Sequence, residues 1–209
     1  FLVVDDLYTK IGDAQGGWMD AIDAATGTER WRFAAGGAIW AAPPVIDGIV
    51  YVAGPNTPVP DHPAALWALD AATGSVIWET DLPGSSTSGQ DRDLPVAVTH
   101  GVIYLQRDQN LYAVDAASGR LLWTAPPNGR SAYAPAALTA DVIYFALGHG
   151  GLLAVDASSG RQLWEARVGD AQMNWPVVAG GFLYVGDDSG VLYALADREH
   201  AAATPVPPP

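Results

Sequence analysis

"AVDAASGRLLW", residues 113–123, returns in near copies as "AIDAATGTERW" (21–31), "ALDAATGSVIW" (68–78) and "AVDASSGRQLW" (154–164). Each copy has a small residue, an apolar one, Asp, a short polar turn, Gly, and Trp four residues after the Gly. The aspartates Asp23, Asp70, Asp115 and Asp156 stand 47, 45 and 41 residues apart. A fifth, decayed copy begins at Ala194-Leu195, 40 residues after Ala154-Val155, and then loses both Gly and Trp. A period of this length suits a four-stranded propeller blade or an α-helical repeat.

The pattern inside one period separates the two. Residues 95–123 read PVAV, THG, VIYLQ, RDQN, LYAVD, AASG and RLLW. The apolar runs are short and rich in Val, Ile, Leu and Tyr, with turn residues between them, which is a strand pattern. No stretch holds apolar residues at 3.6 spacing long enough for a helix. The first two runs of a unit, strands A and B, meet at Asp47-Gly48, His100-Gly101, Ala140-Asp141 or Gly180-Gly181. Asp-Gly and Gly-Gly are strong signals for hairpins whose central residues both need positive φ. In the first unit FLVV is read as strand A, Asp5-Asp6 as the turn and LYTKIG as strand B. Strands A, B and C in five units and D in four predict nineteen strands and no helix.

The expected fold is therefore all-β: a β-propeller of four-stranded antiparallel blades, five repeat units, the last lacking strand D. The units fall at about 1–34, 35–80, 81–125, 126–167 and 168–198, followed by a proline-rich tail or linker at 199–209. Five units could close into a small ring. They could equally form an open arc or a fragment of a larger propeller, and the missing last strand favours the latter. An open arc exposes strand edges and invites self-association.

The motif reads as the end of strand C, a tight turn and strand D. Asp accepts hydrogen bonds from nearby backbone N–H groups, and Gly adopts the left-handed conformation without a Cβ clash. Trp31, Trp78, Trp123 and Trp164 then lie on the outermost strand, where an indole supplies apolar area to grip a neighbouring blade. Four equivalent Asp and four equivalent Trp are read as scaffold, because stacked repeats bury a continuous core through equivalent residues.

Composition narrows the chemistry. The 209 residues are 49% hydrophobic and carry a net charge of −13, with Lys10 the single lysine. Nucleic acid and anionic membranes are held by basic patches, so neither is an expected partner. There is no Cys, which excludes disulfides, Cys-ligated zinc and a Cys nucleophile. No apolar run is long enough to span a membrane, and FLVVDD begins in strand-like sequence, as a mature or trimmed product would.

The pattern strand–Gly–strand followed by LYA(L/V)DAxTGxxxW resembles the PQQ-type β-propeller repeat over residues 1–198. That family includes quinoprotein dehydrogenases, the outer-membrane assembly lipoprotein of the β-barrel machinery, and sensor domains on some bacterial Ser/Thr kinases. The resemblance implies a protein-binding, scaffold or sensor module in an extracytoplasmic place; the alternative is a fragment of a PQQ-dependent dehydrogenase. Family dehydrogenases hold the quinone with adjacent cysteines, an aromatic stacker and calcium ligands. This chain has no Cys, and no calcium-ligand cluster matches residue by residue, so no catalytic residue, metal or cofactor is expected.

Candidate sites lie where the copies stop agreeing. The A–B and C–D turns are short and uniform, whereas the B–C loops and the D-to-A links vary, and function concentrates on variable loops. Residues before the Pro that begins each strand A should ring the channel mouth: Trp40, Arg92, Asp93, Tyr133, Asn174 and Trp175. Exposed Trp, Tyr and Arg are typical interface anchors, so a protein partner is expected on this face. The alternative is that Trp40 and Trp175 plug the channel as core. The long B–C loop 54–66, stiffened by Pro55, Pro58, Pro60 and Pro63, could join the face or be decoration. Asp187-Asp188 and Asp91/Asp93 raise calcium, but six to eight oxygens are needed, and GDDSG is also an ordinary B–C turn. His62, His100, His149 and His200 are scattered, with no metal-like spacing.

Overall fold

The computed structural model describes residues 2–5, 18–35, 39, 43–54, 66–83, 94–107, 110–125 and 137–196. Among them are eighteen strands and no helix. The chain forms two compact units, residues 1–126 and 127–209. The first unit holds three antiparallel sheets. They are β1 (Leu2–Asp5), β2 (Trp18–Ile22) and β3 (Glu29–Ala34); β4 (Val45–Ile46), β5 (Ile49–Ala53), β6 (Leu66–Asp70) and β7 (Val76–Thr80); and β8 (Leu94–Thr99), β9 (Val102–Arg107), β10 (Asn110–Asp115) and β11 (Leu121–Ala125). The second unit holds β12 (Ala137–Leu138), β13 (Val142–Ala146), β14 (Gly151–Asp156) and β15 (Gln162–Arg167), then β16 (Val177–Ala179), β17 (Phe182–Gly186) and β18 (Leu192–Ala196). Within every sheet each strand pairs with the next one in sequence, as a propeller blade requires. Among the described residues the fifth sheet ends at strand C.

The first sheet differs from the expectation. β1 pairs directly with β2, Leu2 opposite Ile22 and Asp5 opposite Met19. That is the register of strand B on strand C in the second sheet, where Val50 faces Leu69 and Ala53 faces Leu66. FLVV thus takes the place of strand B rather than A. Asp5 closes a strand instead of turning between two, and a polar residue after a short apolar run is compatible with both. LYTKIG lies outside the described residues.

Three A–B turns have positive φ at both central residues: Asp47 (50°) and Gly48 (77°), His100 (48°) and Gly101 (74°), Gly180 (57°) and Gly181 (82°). The fourth, at Ala140-Asp141, uses other means. The Thr139 hydroxyl accepts the Val142 N–H at 3.0 Å and donates to the Val142 carbonyl at 3.1 Å.

The motif turn is the same in all four copies. The Gly N–H donates to the Asp carbonyl over 2.7–2.8 Å, and the Asp N–H donates to the carbonyl of the residue after Gly over 2.8–2.9 Å. The side chain closes the turn a second time. Asp70 Oδ1 accepts from Ala72 N (3.0 Å), Thr73 N (2.8 Å) and the Thr73 hydroxyl (2.8 Å). Asp156 Oδ1 accepts from the backbone and hydroxyl of both Ser158 and Ser159. Each turn is followed by a register shift, which re-aims strand D so that its Trp falls opposite the small residue of strand C.

These devices serve sheet stacking. The Trp31 indole N–H donates to the Ala71 carbonyl (3.0 Å) and that of Trp78 to the Ala116 carbonyl (3.1 Å), each acceptor being the residue after the motif Asp of the next sheet. The N–H groups of Ala71 and Ala116 are held by Gly48 and Gly101 of their own A–B turns. A Cβ on Gly74 would lie 2.6 Å from the Trp31 ring, and one on Gly119 would lie 2.6 Å from that of Trp78. Glycine is needed there for close approach as well as for φ.

Each sheet has a forward face, on which the first four sheets carry the motif Trp, and a rear face. Met19, Ala21 and Trp31 of the first sheet pack against Val50, Val52, Trp67 and Leu69 of the second. Tyr51, Ala53, Leu66 and Ala68 pack against Ile103, Leu105, Tyr112 and Val114 of the third. Within the second unit, Ala137, Ala146 and Leu152 pack against Leu183 and Val185. In all three cases a forward face meets a rear face.

Candidate partner-binding surface

Of the six residues expected to ring the variable end, Asn174 and Trp175 are described. Trp40, Arg92, Asp93 and Tyr133 lie outside the described residues, as do 55–65 of the proline-rich loop, Asp91, His62, His200 and the tail 199–209. The link from β15 to β16 can be followed whole. It runs across the B–C turns of both sheets of the second unit. The Val168 N–H donates to the Gly150 carbonyl at 2.9 Å, and a Cβ on Gly150 would lie 1.8 Å from the Gly169 carbonyl oxygen. Further along, Met173 bridges Asp187, the Asp188 N–H reaches the Gln172 carbonyl (3.1 Å) and the Asn174 N–H reaches the Gly186 carbonyl (2.8 Å). B–C turns and D-to-A links therefore share one end here, as the strand order demands.

That anchoring presents Trp175 to solvent. The backbone of 172–174 is pinned, Met173 is buried, and Trp175 is 69% exposed. The sequence left open whether Trp175 is core or surface; it is surface. Leu192 lies opposite Gly186 in the same sheet, and Val191, Leu192 and Val177 are exposed as well. Sequence reading missed these three, because an apolar residue in a strand pattern is ordinarily core.

Asp187 is the one charged residue buried among the described residues. Its Oδ1 accepts from Ser189 N (2.9 Å), the Ser189 hydroxyl (2.6 Å) and Val191 N (3.0 Å), and its Oδ2 accepts from the Tyr193 hydroxyl (3.0 Å). The Ser189 hydroxyl leads in holding this carboxyl below the usual carboxylate range, and the carboxylate in turn raises the Tyr193 phenol. Gly169 leaves room for that phenol, since a Cβ there would lie 2.6 Å from the Tyr193 oxygen. Asp187 is a turn-builder whose two oxygens accept four hydrogen bonds. Among the described residues no three His, Cys, Asp or Glu side chains gather as metal ligands would. His100 and His149 both sit at positive φ in turns, which explains their place without chemistry. No helix is long and apolar enough to cross a membrane among the described residues.

Three- and four-stranded antiparallel sheets stacked forward face to rear face, joined in the first unit by the Asp–Gly–Trp latch, define a PQQ-like β-propeller repeat. Residues 15–174 match the sequence profile of the family described as "Outer membrane protein assembly factor BamB", and the chain belongs to that family. A serine/threonine-protein kinase, AfsK of Streptomyces griseus, is 29% identical over 142 residues, 63% of this chain and 17% of the kinase. The chain thus spans under a fifth of that relative. In structure it is similar to BamB from Moraxella catarrhalis, with a TM-score of 0.62 at 21% identity over 93% of this chain and 60% of that one. It is also similar to a europium-containing methanol dehydrogenase, with a TM-score of 0.63 at 13% identity over 93% of this chain and 49% of that one. These two likenesses concern the fold.

Proposed function

We propose that the chain is a non-catalytic protein-binding or scaffold module of the cell envelope, docking a protein partner on the end where B–C turns meet D-to-A links. The observation that carries this is Trp175: a large indole, exposed, on a backbone pinned by the bonds to Gly186 and Asp187. A rigid exposed Trp loses little entropy on binding and is a residue type enriched at interface hot spots. Asn174 sits beside it in the chain, and Trp40, Arg92, Asp93 and Tyr133, which precede strand A in the other repeats, are candidates from the sequence alone. An extracytoplasmic place is supported by the family description, and a sensor role by the kinase relative.

The test places a photo-crosslinker at position 174 and compares capture by the chain with Trp175 intact, Trp175→Ala, and the triple variant Trp40→Ala/Tyr133→Ala/Trp175→Ala. Both alanine variants should keep their urea midpoint, since surface changes away from turns and caps stay within about 0.5 kcal/mol, while losing the captured partner. Equal capture by the triple variant removes this face. The dehydrogenase alternative is tested by reconstitution with PQQ and calcium. Neither quinone absorbance nor dye-linked alcohol oxidation is expected, and either one would restore that alternative.

A further inference from the structure

We propose that the chain pairs with a second copy of itself along the outer edge of β11, the two β11 strands running antiparallel about a two-fold axis. The contact uses neither Trp175 nor the loop end, so it is independent of the reading above. β3, β7, β11 and β15 each stand last in their sheet, and no described strand is bonded to their outer edges. An open edge is a template for a further strand, and charged side chains ordinarily guard it. β3 carries Glu29, Arg30 and Arg32, β7 carries Glu79, and β15 carries Glu165 and Arg167. β11, LLWTA, carries no charge, and neither Pro nor Gly interrupts it. Leu122 and Thr124 are exposed along it. Described strands precede and follow the third sheet in the chain, so neither terminus makes this edge.

Charge selects the occupant. At a net charge of −13, copies of the chain repel each other over most of their surface, and a basic strand is drawn instead to the acidic edge of β7. What suits β11 is a strand of equal length without charge, and β11 is itself one. Centred on Trp123, the antiparallel register sets Leu121 opposite Ala125, Leu122 opposite Thr124 and Trp123 opposite its own copy. Arg120 falls opposite Pro126, so no like charges face each other. Tyr104, Ala113 and Trp123 form one row across the sheet, with the Tyr104 and Trp123 rings 5.9 Å apart. Self-pairing continues that row into the same residues of the second copy, and aromatic neighbours on one face stabilise paired strands. The contact is isologous, so it closes at two copies and builds no filament.

Analytical ultracentrifugation of the whole chain over a wide concentration range should show a monomer passing to a dimer and nothing larger. Leu122→Lys brings a positive charge from each copy into the contact and should weaken it at least about ten-fold. Thr124→Lys takes its place if circular dichroism shows Leu122→Lys unfolded. The chain has no cysteine, so cross-linking reads the register. Under mild oxidation, Leu122→Cys mixed with Thr124→Cys should form a disulfide-linked dimer of the two variants, because directly opposite residues of paired strands lie within disulfide reach. Each variant alone should link far more slowly. A chain that stays monomeric at every concentration overturns the proposal, as does a mass that climbs past two copies. So does a folded lysine variant that dimerises like the parent, and so does a cysteine mixture that links no faster than either variant alone.

Discussion

Gly27 and Gly74 occupy the same place in successive motif copies, at φ +71° and +73°, but in different surroundings. A Cβ on Gly27 meets nothing within 4 Å, whereas one on Gly74 meets the Trp31 ring at 2.6 Å. Gly27→Ala should therefore cost only the left-handed backbone, about 1–2 kcal/mol. Gly74→Ala adds the displacement of a buried indole. Overpacking costs about 1–3 kcal/mol, so about 2–5 kcal/mol is expected in total. Equilibrium urea unfolding, followed by circular dichroism and Trp fluorescence, reads the two values directly. The excess should also disappear in a Trp31→Ala background, where no ring remains to displace. Equal costs for Gly27→Ala and Gly74→Ala, within about 0.5 kcal/mol, would refute the idea that glycine is required there for sheet stacking.

Trp78→Phe removes the N–H that the Ala116 carbonyl accepts, leaving that carbonyl the Tyr51 hydroxyl at 3.4 Å, and should cost about 0.5–1.5 kcal/mol, the range for one hydrogen bond. Trp164→Phe, on a half-exposed ring, should cost less than about 1 kcal/mol; the two urea midpoints compare them. Acid should weaken the turns in a definite window. The Ser158 and Ser159 hydroxyls pull the Asp156 carboxyl from 3.8 to about 2 in the folded chain. A depressed folded value means stability that is present above pH 3.8 and lost as pH falls through about 2. Asp23, Asp70, Asp115 and Asp187 are shifted the same way. Urea midpoints measured down to pH 2 should fall more steeply for the parent chain than for Asp156→Asn, and parallel curves would contradict the assignment.

The strands, their order and the A–B turns were legible because hairpin chemistry is local: Asp47-Gly48 and His100-Gly101 carry their own conformational demand. The first sheet was misread for the same reason. FLVVDD fits strand A and strand B equally well, and only the pairing of Asp5 with Met19 tells them apart. The motif was read half correctly. Asp and Gly were assigned to the turn, yet nothing within eleven residues shows that Gly74 lies against an indole 43 positions away in sequence. The Trp–carbonyl bond is equally non-local, since Trp31 reaches Ala71 in the next copy. Trp175 was legible as a candidate but not as surface, because its exposure depends on where residues 172–174 pair with the turn at 186–188.

The same limit explains why a strand pattern does not reveal the chemistry of a face. Asp20 and Trp67 hold equivalent positions, each just before the alanine that faces the motif Trp. One is a carboxylate clamped by Arg32 and the other an indole buried under Phe33 at 5.5 Å. Period-2 alternation treats Asp20 as an outward polar residue of an ordinary strand. The register shows instead that it stands at the centre of a rear face, where the second, third and fifth sheets put Trp67, Tyr112 and Tyr193 and the fourth puts Leu153. Leu192 makes the converse case: it fits the core pattern, and its exposure follows from the absence of a described sheet in front of it. A comparison of equivalent positions in a repeat therefore finds such departures when a scan for motifs does not.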